Sequence, residues 1–212
     1  EATKALINRG FEPTFETNGD YELGFRDDSH FEVTLDDDHQ LGALNAMAEN
    51  KRGIIDAATN SGKTKIAEAW ACLFDAKILY VVPTKDLPEQ TLESFRTDTN
   101  LRVGYLSAER GWKLGKDVTV ALASTISHAK SRKRFIAIAD GFNAVIMDEC
   151  HHSRSKSWRW ILKSLKKCAY RYGMSGTPWN PKDKAEGLEV RAFLGPIIYT
   201  VTTHELIQKG WS

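Results

Sequence analysis

The sequence predicts an α/β domain built on a doubly wound parallel sheet. Short apolar runs of strand length recur along the chain, and segments with the apolar spacing of helices separate them. Because these runs lack alternating polar residues, both faces of each strand are expected to be covered, as in a parallel sheet with helices on either side.

The predicted helices and strands alternate from residue 41 onward. A helical stripe within residues 41–48 comes first. Strands are expected at 53–57, 77–82, 102–106, 118–123, 144–148 and 170–175, and helices at 63–75, 86–95, 129–139 and 158–168.

The first 35 residues have a different pattern. Residues 2–9 predict a short helix, and Asn18-Gly19 between alternating apolar residues predicts a β-hairpin. The acidic run at 36–38 indicates a boundary and a helix start, because carboxylates favour the positive end of a helix. We expect residues 1–35 to be the C-terminal part of a small accessory α+β domain and residues 36–212 to form the main domain. Since the chain begins at Glu1, we also expect it to be part of a longer protein.

The composition is typical of a globular protein, with 42% hydrophobic and 27% charged residues. No apolar run reaches the roughly 18 residues that a membrane-spanning helix needs, so no membrane partner is predicted. The three cysteines do not make an even-numbered disulfide framework, which favours a reducing, cytoplasmic setting.

The net charge of +1 hides an asymmetry. Residues 1–50 contain 12 acidic and 3 basic side chains, whereas residues 51–212 contain 16 acidic and 26 basic ones. A basic main domain suits a polyanionic partner, but two solvated faces without a ligand account for the charge equally well.

Residues 57–64 fit a phosphate-binding loop. Ala57, four further residues and then Gly62-Lys63-Thr64 lie between a predicted strand and a predicted helix. In such a loop backbone amides surround the phosphates, Lys63 reaches the terminal ones, and the Thr64 hydroxyl binds Mg²⁺. The residues predicted to bind nucleotide are therefore Ala58, Thr59, Asn60, Ser61, Gly62, Lys63 and Thr64.

One predicted apolar strand ends in Asp148-Glu149, and Cys150-His151-His152 follow directly. At the carboxyl end of a parallel strand, Asp148 can hold Mg²⁺ beside the phosphate-binding loop, and Glu149 can accept a proton from the attacking water. The alternative is a zinc site on the three residues that follow. It lacks a second pair of ligands, and consecutive residues rarely face one ion together. We interpret the segment as an ATPase motif.

Three motifs in this order are similar to those of the first RecA-like domain of superfamily 2 helicases and translocases: Gly-Lys-Thr at 62–64, Asp-Glu-Cys-His at 148–151 and Ser-Gly-Thr-Pro at 175–178. The resemblance covers residues 36–212. It is greatest to the branch that contains type I and III restriction motors, UvsW-like phage DNA helicases and eukaryotic repair translocases. It implies a RecA-like P-loop fold, ATP and Mg²⁺ as cofactors, and DNA as the partner, with duplex, forked or branched DNA favoured over RNA. A phage-encoded member would act in the cytoplasm of the host.

The resemblance also implies roles for individual residues at the nucleotide. Gln40 matches the glutamine that recognises the adenine edge. Lys63, Asp148 and Glu149 match the catalytic residues, with Thr64 and Asp148 on the magnesium ion.

Further residues match positions that connect the nucleotide to the nucleic acid. His151, Ser175 and Thr177 resemble the residues that couple the nucleotide state to the track. Contacts with the phosphate backbone are expected, by the same resemblance, from Pro83, Thr84, Lys85, Ser124 and Thr125. Small hydroxyls and amides suit that role, because they hold backbone phosphates without reading the sequence.

The chain departs from the family pattern at three points. Asn60 stands where relatives usually carry glycine, and asparagine tolerates a left-handed backbone better than most residues. Only His39 precedes Gln40, where relatives often have an arginine and an aromatic residue. The motifs of a second RecA-like domain, including its arginine finger, are missing, so the chain is expected to bind nucleotide but to hydrolyse it slowly.

The function that we predict is the N-terminal motor half of an ATP-dependent DNA helicase or branch-migration translocase. One alternative is the motor of a type I or III restriction endonuclease. Another is a nucleic-acid-binding module that uses ATP as a conformational clamp without hydrolysing it. A P-loop kinase would leave the Ser-Gly-Thr-Pro motif and the residues at 82–87 unexplained.

Overall fold

The computed structural model describes residues 23–26, 35, 38–84, 87–179, 182 and 184–208, and there it confirms the predicted fold class. The strands are β1 (Arg52–Ala57), β2 (Ile78–Val82), β3 (Val103–Ser107), β4 (Gly111–Lys113), β5 (Val118–Leu122), β6 (Ala144–Asp148), β7 (Tyr170–Ser175) and β8 (Ile197–Val201). They form one sheet in the order β4-β3-β5-β2-β6-β7-β1-β8, and neighbours are parallel apart from β3 and β4.

Helices cover both faces of this sheet. They are α1 (Asp38–Glu49), α2 (Lys63–Leu73), α3 (Leu87–Asp98), α4 (Ala123–Ser127), α5 (Ala129–Ala139), α6 (Lys156–Ser164), α7 (Lys184–Leu194) and α8 (Thr203–Gln208), with a 3₁₀ turn at Cys150–Arg154. None of the helices in the described ranges has the length and apolar content to cross a bilayer.

Each face of the sheet has its own hydrophobic core. The first core contains α1, α2 and α3, with Trp70 packed against the strands. The second contains α4 to α7, with Phe135 at its centre. Alternate strand residues enter the two cores, so Tyr80 of β2 lies in the first and its neighbour Leu79 in the second. Burial on both faces is the reason why the strands are continuous apolar runs.

The structure adds five elements that the sequence analysis did not predict: β4, β8, α4, α7 and α8. It also corrects one helix, because α6 ends at Ser164 rather than at residue 168. The buried guanidinium of Arg171 donates to the carbonyls of Leu162, Leu165 and Cys168 at 3.2, 2.6 and 3.0 Å. These bonds satisfy carbonyls at the end of the helix and so favour a turn there.

Residues 23–26 dock on the edge of the domain opposite the carboxyl ends of the strands. Phe25 pairs with Phe74 in an antiparallel bridge, and their rings stack with centroids 5.5 Å apart. The backbone N–H of Arg26 donates to Leu73, and the carbonyl of Gly24 accepts from Asp75, both at 2.8 Å. The rest of the predicted accessory domain, including the helix and hairpin, lies outside the described residues, so that assignment stays a prediction.

Asp117 holds this docked segment to the sheet. Its carboxylate accepts Arg26 Nη1 at 2.8 Å and three donors of Arg102: the backbone N and Nε at 2.8 Å, and Nη2 at 3.0 Å. Arg26 and Asp117 are both buried. Burial by itself would raise the pKa of Asp117, but the hydrogen bonds from Arg102 and the charge of Arg26 outweigh it and lower the pKa.

The Asp117→Asn substitution should reduce the free energy of unfolding by about 3 kcal/mol at neutral pH, because it removes the buried counter-charge of Arg26 and leaves only exposed Asp75, 3.5 Å away. A carboxyl with a lowered folded-state pKa stabilises the fold above its unfolded pKa, near 4, and loses that effect as the pH falls through the folded value. The difference in stability between wild type and variant should therefore shrink below about pH 4. Urea unfolding at a series of pH values measures this.

The matched control is Asp140→Asn. Asp140 forms an exposed ion pair with Lys167 at 3.4 Å, so its loss should change stability by no more than about 0.5 kcal/mol. A stability difference for Asp117→Asn that stays constant across the pH range would contradict the assignment.

Candidate functional site

The predicted motifs meet because β6, β7 and β1 are adjacent and parallel. Asp148, Ser175 and Ala57 are the last residues of these three strands. Parallel strands end at the same edge of a sheet, so the loops that follow them lie side by side. This edge is where open α/β sheets bind ligands.

The phosphate-binding loop connects β1 to α2 and contains two residues with a left-handed backbone. Asn60 has φ 67° and Gly62 has φ 76°. The prediction that asparagine can replace glycine at position 60 is confirmed by that conformation. A Cβ at Gly62 would also lie 2.2 Å from Nε2 of Gln40, so a side chain there would displace the end of the Gln40 side chain. The loop therefore brings its backbone against α1.

Helix α1 braces this loop through two buried side chains. Nε2 of His39 lies 2.9 Å from the carbonyl oxygen of Ser61, and Nε2 of Gln40 donates to the same oxygen at 3.3 Å. His39 stands where relatives often have an aromatic residue before the glutamine, and here it contacts the loop. The adenine contact of Gln40 stays a prediction, and its position beside Ser61 and Gly62 puts it next to the nucleotide loop.

The ammonium of Lys63 lies inside the loop and close to the acidic pair. It donates to the carbonyls of Ala57 and Ala58, both at 3.1 Å, and is 3.9 Å from Oε1 of Glu149. Its side chain is only 10% exposed. A buried cation surrounded by loop amides and carbonyls is suited to bind the terminal phosphates of a nucleotide.

Asp148 is buried at the end of β6. Its Oδ1 accepts the backbone N–H of Glu149 at 3.0 Å. Burial, and after it the charge of Glu149, raises the pKa of Asp148 to about 6, and Lys63 acts in the opposite direction. A cation bound beside Asp148 would stabilise the ionised form of this buried carboxyl and so lower its pKa.

Glu149 has a left-handed backbone with φ 49° and ψ 55°, which is uncommon for a residue with a Cβ. The turn directs its carboxylate toward the loop after β7. Oε2 of Glu149 accepts the Ser175 hydroxyl at 3.2 Å and lies 3.3 Å from Nδ1 of His151. The predicted base and two predicted coupling residues therefore form one cluster.

Ser175 connects the members of this cluster. Its Oγ is 2.9 Å from Nδ1 of His151 and accepts the backbone N–H of Thr177 at 3.2 Å. Because the hydroxyl has one proton, which it donates to Glu149, the remaining contact is satisfied when His151 carries its proton on Nδ1. We assign this tautomer from the hydrogen bonds. All three predicted coupling residues are thus brought together.

A cleft of about 550 Å³ lies over these groups, within the range of ligand sites. Its lining combines residues from three loops and from α8: Ala58, Thr59, Asn60, Glu149, His151, Gly176, Thr177, Thr203 and Leu206. Thr203 and Leu206 belong to α8 and were not predicted, because one short helix gives no sequence signal for its position. A Cβ at Gly176 would lie 3.3 Å from both the Ala57 carbonyl oxygen and the Ala58 Cα, so the loop after β7 approaches the phosphate-binding loop closely.

The donors at this edge fit Mg²⁺. The Thr64 hydroxyl and the Asp148 carboxylate are hard oxygen ligands, and Mg²⁺ commonly takes one or two protein ligands together with phosphates and waters. The described residues contain no group of three or more His, Cys, Asp or Glu side chains able to hold a metal by themselves. In the segment after Glu149, Cys150 is buried in the second core whereas His151 points to Ser175.

The predicted nucleic-acid residues lie at the carboxyl ends of β2 and β5, which are adjacent and parallel. Pro83 and Thr84 follow β2, and Ser124 and Thr125 begin α4 after β5. Ser124 is exposed, whereas Thr125 is buried. Lys85 lies outside the described residues.

Helix α5 continues from this edge and carries four exposed cations, which we call the basic ridge: Lys130, Arg132, Lys133 and Arg134. The guanidinium of Arg132 lies 4.9 Å from the ring centre of Trp160, and that of Arg134 lies 4.7 Å from Trp112. No acidic residue occurs between Asp117 and Asp140. Within the described part of the chain none of the four cations forms an ion pair.

Comparison with known proteins is consistent with this geometry. A family model described as type III restriction enzyme, res subunit, matches residues 32–180. The chain is 30% identical over 172 residues to the DNA 3′-5′ translocase XPB2 of Sulfurisphaera tokodaii and 27% identical over 181 residues to the ATP-dependent DNA helicase uvsW of Enterobacteria phage T4. Each alignment covers 81% of this chain, but 37% and 35% of the two relatives, so the chain spans about a third of their length.

The fold has solved counterparts. The crystal structure of the UvsW helicase from bacteriophage T4 matches with a TM-score of 0.62 at 23% identity, covering 76% of this chain and 58% of that chain. Because the family model extends over well more than half of the 212 residues, this chain belongs to the family of the type III restriction enzyme res subunit, and its fold is similar to that of helicase RecA-like domains.

Proposed function

We propose that this chain is the N-terminal motor half of an ATP-dependent DNA helicase or translocase. The observation that supports it most strongly is the single cleft in which the phosphate-binding loop, the acidic pair and the Ser175 loop meet. The relatives named above are DNA motors, which favours DNA over RNA as the track. We further propose that the protein acts in the cytoplasm, or in that of the host if a phage encodes it.

The residues divide the chemistry between them. Lys63 binds the terminal phosphates of ATP from inside the loop, while Thr64 and Asp148 would hold Mg²⁺, which neutralises phosphate charge when bound. Glu149 accepts the proton of the attacking water, and the Ser175 hydroxyl and His151 keep its carboxylate in that position. Gln40 recognises adenine from α1. Loop residues 58–62 supply backbone amides to the phosphates.

Full activity requires a second RecA-like domain, which we propose follows in the natural chain. In such motors ATP lies between two domains, and an arginine finger from the second stabilises the transition state by roughly 10³–10⁵ in rate. The alignments cover only 37% and 35% of the two relatives, so most of their length lies outside the matched part, which leaves room for such a domain. This first domain by itself should bind ATP and hydrolyse it slowly.

We propose that the DNA backbone runs along the carboxyl ends of β2 and β5 and onto the basic ridge. Pro83, Thr84, Lys85, Ser124 and Thr125 would supply small polar contacts with phosphates, with Thr125 acting through its backbone because its side chain is buried. The ridge would add electrostatic attraction. Arginines held on tryptophan rings lose less side-chain entropy on binding than free ones, and a surface without ion pairs leaves its charge available to a polyanion.

A second candidate is the motor of a restriction endonuclease, which the description of the matching family favours. The two candidates share the ATP site and the track. A nuclease or methylase domain on the same natural chain distinguishes them. A third candidate is an ATP-gated binding module that does not hydrolyse ATP, for which Glu149→Gln should leave function intact.

The full-length protein should hydrolyse ATP slowly without nucleic acid and much faster with DNA, with the largest effect for forked DNA. Lys63→Ala should reduce the DNA-stimulated rate by at least about 10²-fold, because it removes the cation that binds the terminal phosphates. Steady-state ATP turnover with single-stranded, duplex and forked DNA, and with RNA, measures this. ATP turnover that no nucleic acid stimulates would contradict the motor function and favour the binding module. Stimulation by RNA alone would identify RNA instead of DNA as the nucleic acid along which the motor moves.

His151→Ala should lower the DNA-stimulated kcat by about 10²-fold and change the Kd for ATP only a few-fold, because His151 positions Glu149 and Ser175 without lining the phosphate loop. Turnover and equilibrium nucleotide binding are measured on the same preparations. The control is His128→Ala, since exposed His128 caps α5 far from Glu149. Equal losses in kcat and in ATP affinity would argue against a coupling role.

Replacing Arg132 and Arg134 by glutamine should weaken DNA binding and reduce the slope of log K against log salt by about 2, since each lost phosphate contact removes roughly 0.9. Salt titrations of DNA binding by fluorescence anisotropy measure the slope. The matched control replaces Arg110 and Arg159, which are paired with Glu89 and Glu189. An unchanged slope in the ridge variant would show that α5 does not contact DNA.

A further inference from the structure

Tyr80 is a polar residue in the centre of the apolar strand β2, and nothing in the proposed mechanism uses it. It is fully buried, and its ring packs edge-on against Phe95 with centroids 5.7 Å apart. Within the described residues no partner meets hydrogen-bond geometry for its hydroxyl. A buried hydroxyl without a full hydrogen bond costs free energy, so stability does not explain why tyrosine stands here instead of phenylalanine.

Strand register places Tyr80 near the carboxyl edge of the sheet, on the same face as Asp148. Tyr80 pairs with Ile146 of β6, and both lie in the first core. Asp148 is two residues beyond Ile146 and so lies on the same face, in the diagonal position that a long side chain can reach. Thr64 begins α2, the helix packed over that face.

The pKa shifts of Tyr80 and Asp148 agree with this placement. Burial, and after it the charge of Asp148, raises the pKa of Tyr80 well above its ordinary value, while the Thr64 hydroxyl acts to lower it. The pKa of Asp148 is raised mainly by burial, and the Tyr80 hydroxyl is among the groups that oppose the rise. The strand register and the position of Thr64 at the start of α2 place the three oxygen-bearing side chains on one face of the sheet beneath the nucleotide site.

We propose that Tyr80 is a positioning residue for the magnesium ligands: when magnesium and nucleotide bind, its hydroxyl donates to the Asp148 carboxylate and fixes the orientation of that carboxylate beside Thr64. This inference rests on the proposed function of the site. Oδ1 of Asp148 already accepts the backbone N–H of Glu149. A second hydrogen bond, from Tyr80 in the first core, would restrict the carboxylate to a single orientation. Groups that hold metal ligands in this way typically change metal affinity by about 10–100-fold when removed.

The chain contains a matched tyrosine for comparison. Tyr172 of β7 is also fully buried in the first core, but its hydroxyl lies 2.8 Å from the Met47 carbonyl and 2.7 Å from the Asn50 carbonyl, so its one proton has an acceptor. These acceptors are at the end of α1 and beyond it, away from Asp148. Tyr172→Phe therefore removes a structural hydroxyl and leaves the magnesium ligands untouched.

The experiment measures binding of a fluorescent ADP analogue to the full-length protein across a magnesium titration and in excess chelator, together with thermal unfolding without ligands. For Tyr80→Phe we expect the magnesium concentration at half-maximal binding to rise about 10-fold or more. The affinity for the ADP analogue in excess chelator and the unfolding temperature should equal those of the wild type. For Tyr172→Phe we expect a lower unfolding temperature and an unchanged magnesium requirement.

Three results would overturn the inference. One is a Tyr80→Phe variant with the magnesium requirement of the wild type. Another is a Tyr80→Phe variant whose affinity for the ADP analogue falls equally with and without magnesium, which would indicate general damage to the site. If the wild type itself bound nucleotide without any dependence on magnesium, and Lys63→Ala did not weaken that binding, the proposed function would fail together with the inference.

Discussion

The alignment of β6, β7 and β1 as adjacent parallel strands is the constraint on which the site depends. It brings the ends of three strands, at residues 57, 148 and 175 of the sequence, to one edge of the sheet. A register shift of one residue in any of them would turn Asp148 or Ser175 to the opposite face. The two hydrophobic cores fix this register, because alternate residues of every strand are committed to different faces. The geometry of catalysis is therefore a consequence of packing.

Charge balance at the site follows from that arrangement. Asp148 and Glu149 put two carboxylates at the end of a buried strand, which raises the pKa of Asp148 to about 6, and the single nearby ammonium of Lys63 compensates only in part. The remaining preference for positive charge is what a magnesium-nucleotide complex supplies. The strained backbone of Glu149 fits the same interpretation, because a left-handed conformation at a residue with a Cβ costs free energy and here aims the carboxylate at Ser175 and His151.

The opposite edge of the sheet has a different role. There Asp117 joins Arg26 of the docked segment to Arg102, and the stack of Phe25 on Phe74 adds apolar contact. Residues 23–26 are thus attached at the edge of the sheet opposite the one at which the candidate site lies.

The sequence by itself determined the fold class, six of the eight strands that the structure describes and the residues proposed to form the ATP site, because continuous apolar runs and the Gly-Lys-Thr and Asp-Glu patterns are local signals. It could not reveal β8 or α8, whose positions depend on contacts with β1 and with the cleft. It also missed the contact of His39 with Ser61 and the burial of the Tyr80 hydroxyl without a hydrogen-bond partner among the described residues. Those are decided by the tertiary structure, because an apolar strand pattern reports that a side chain is buried but not which distant group it meets across the sheet.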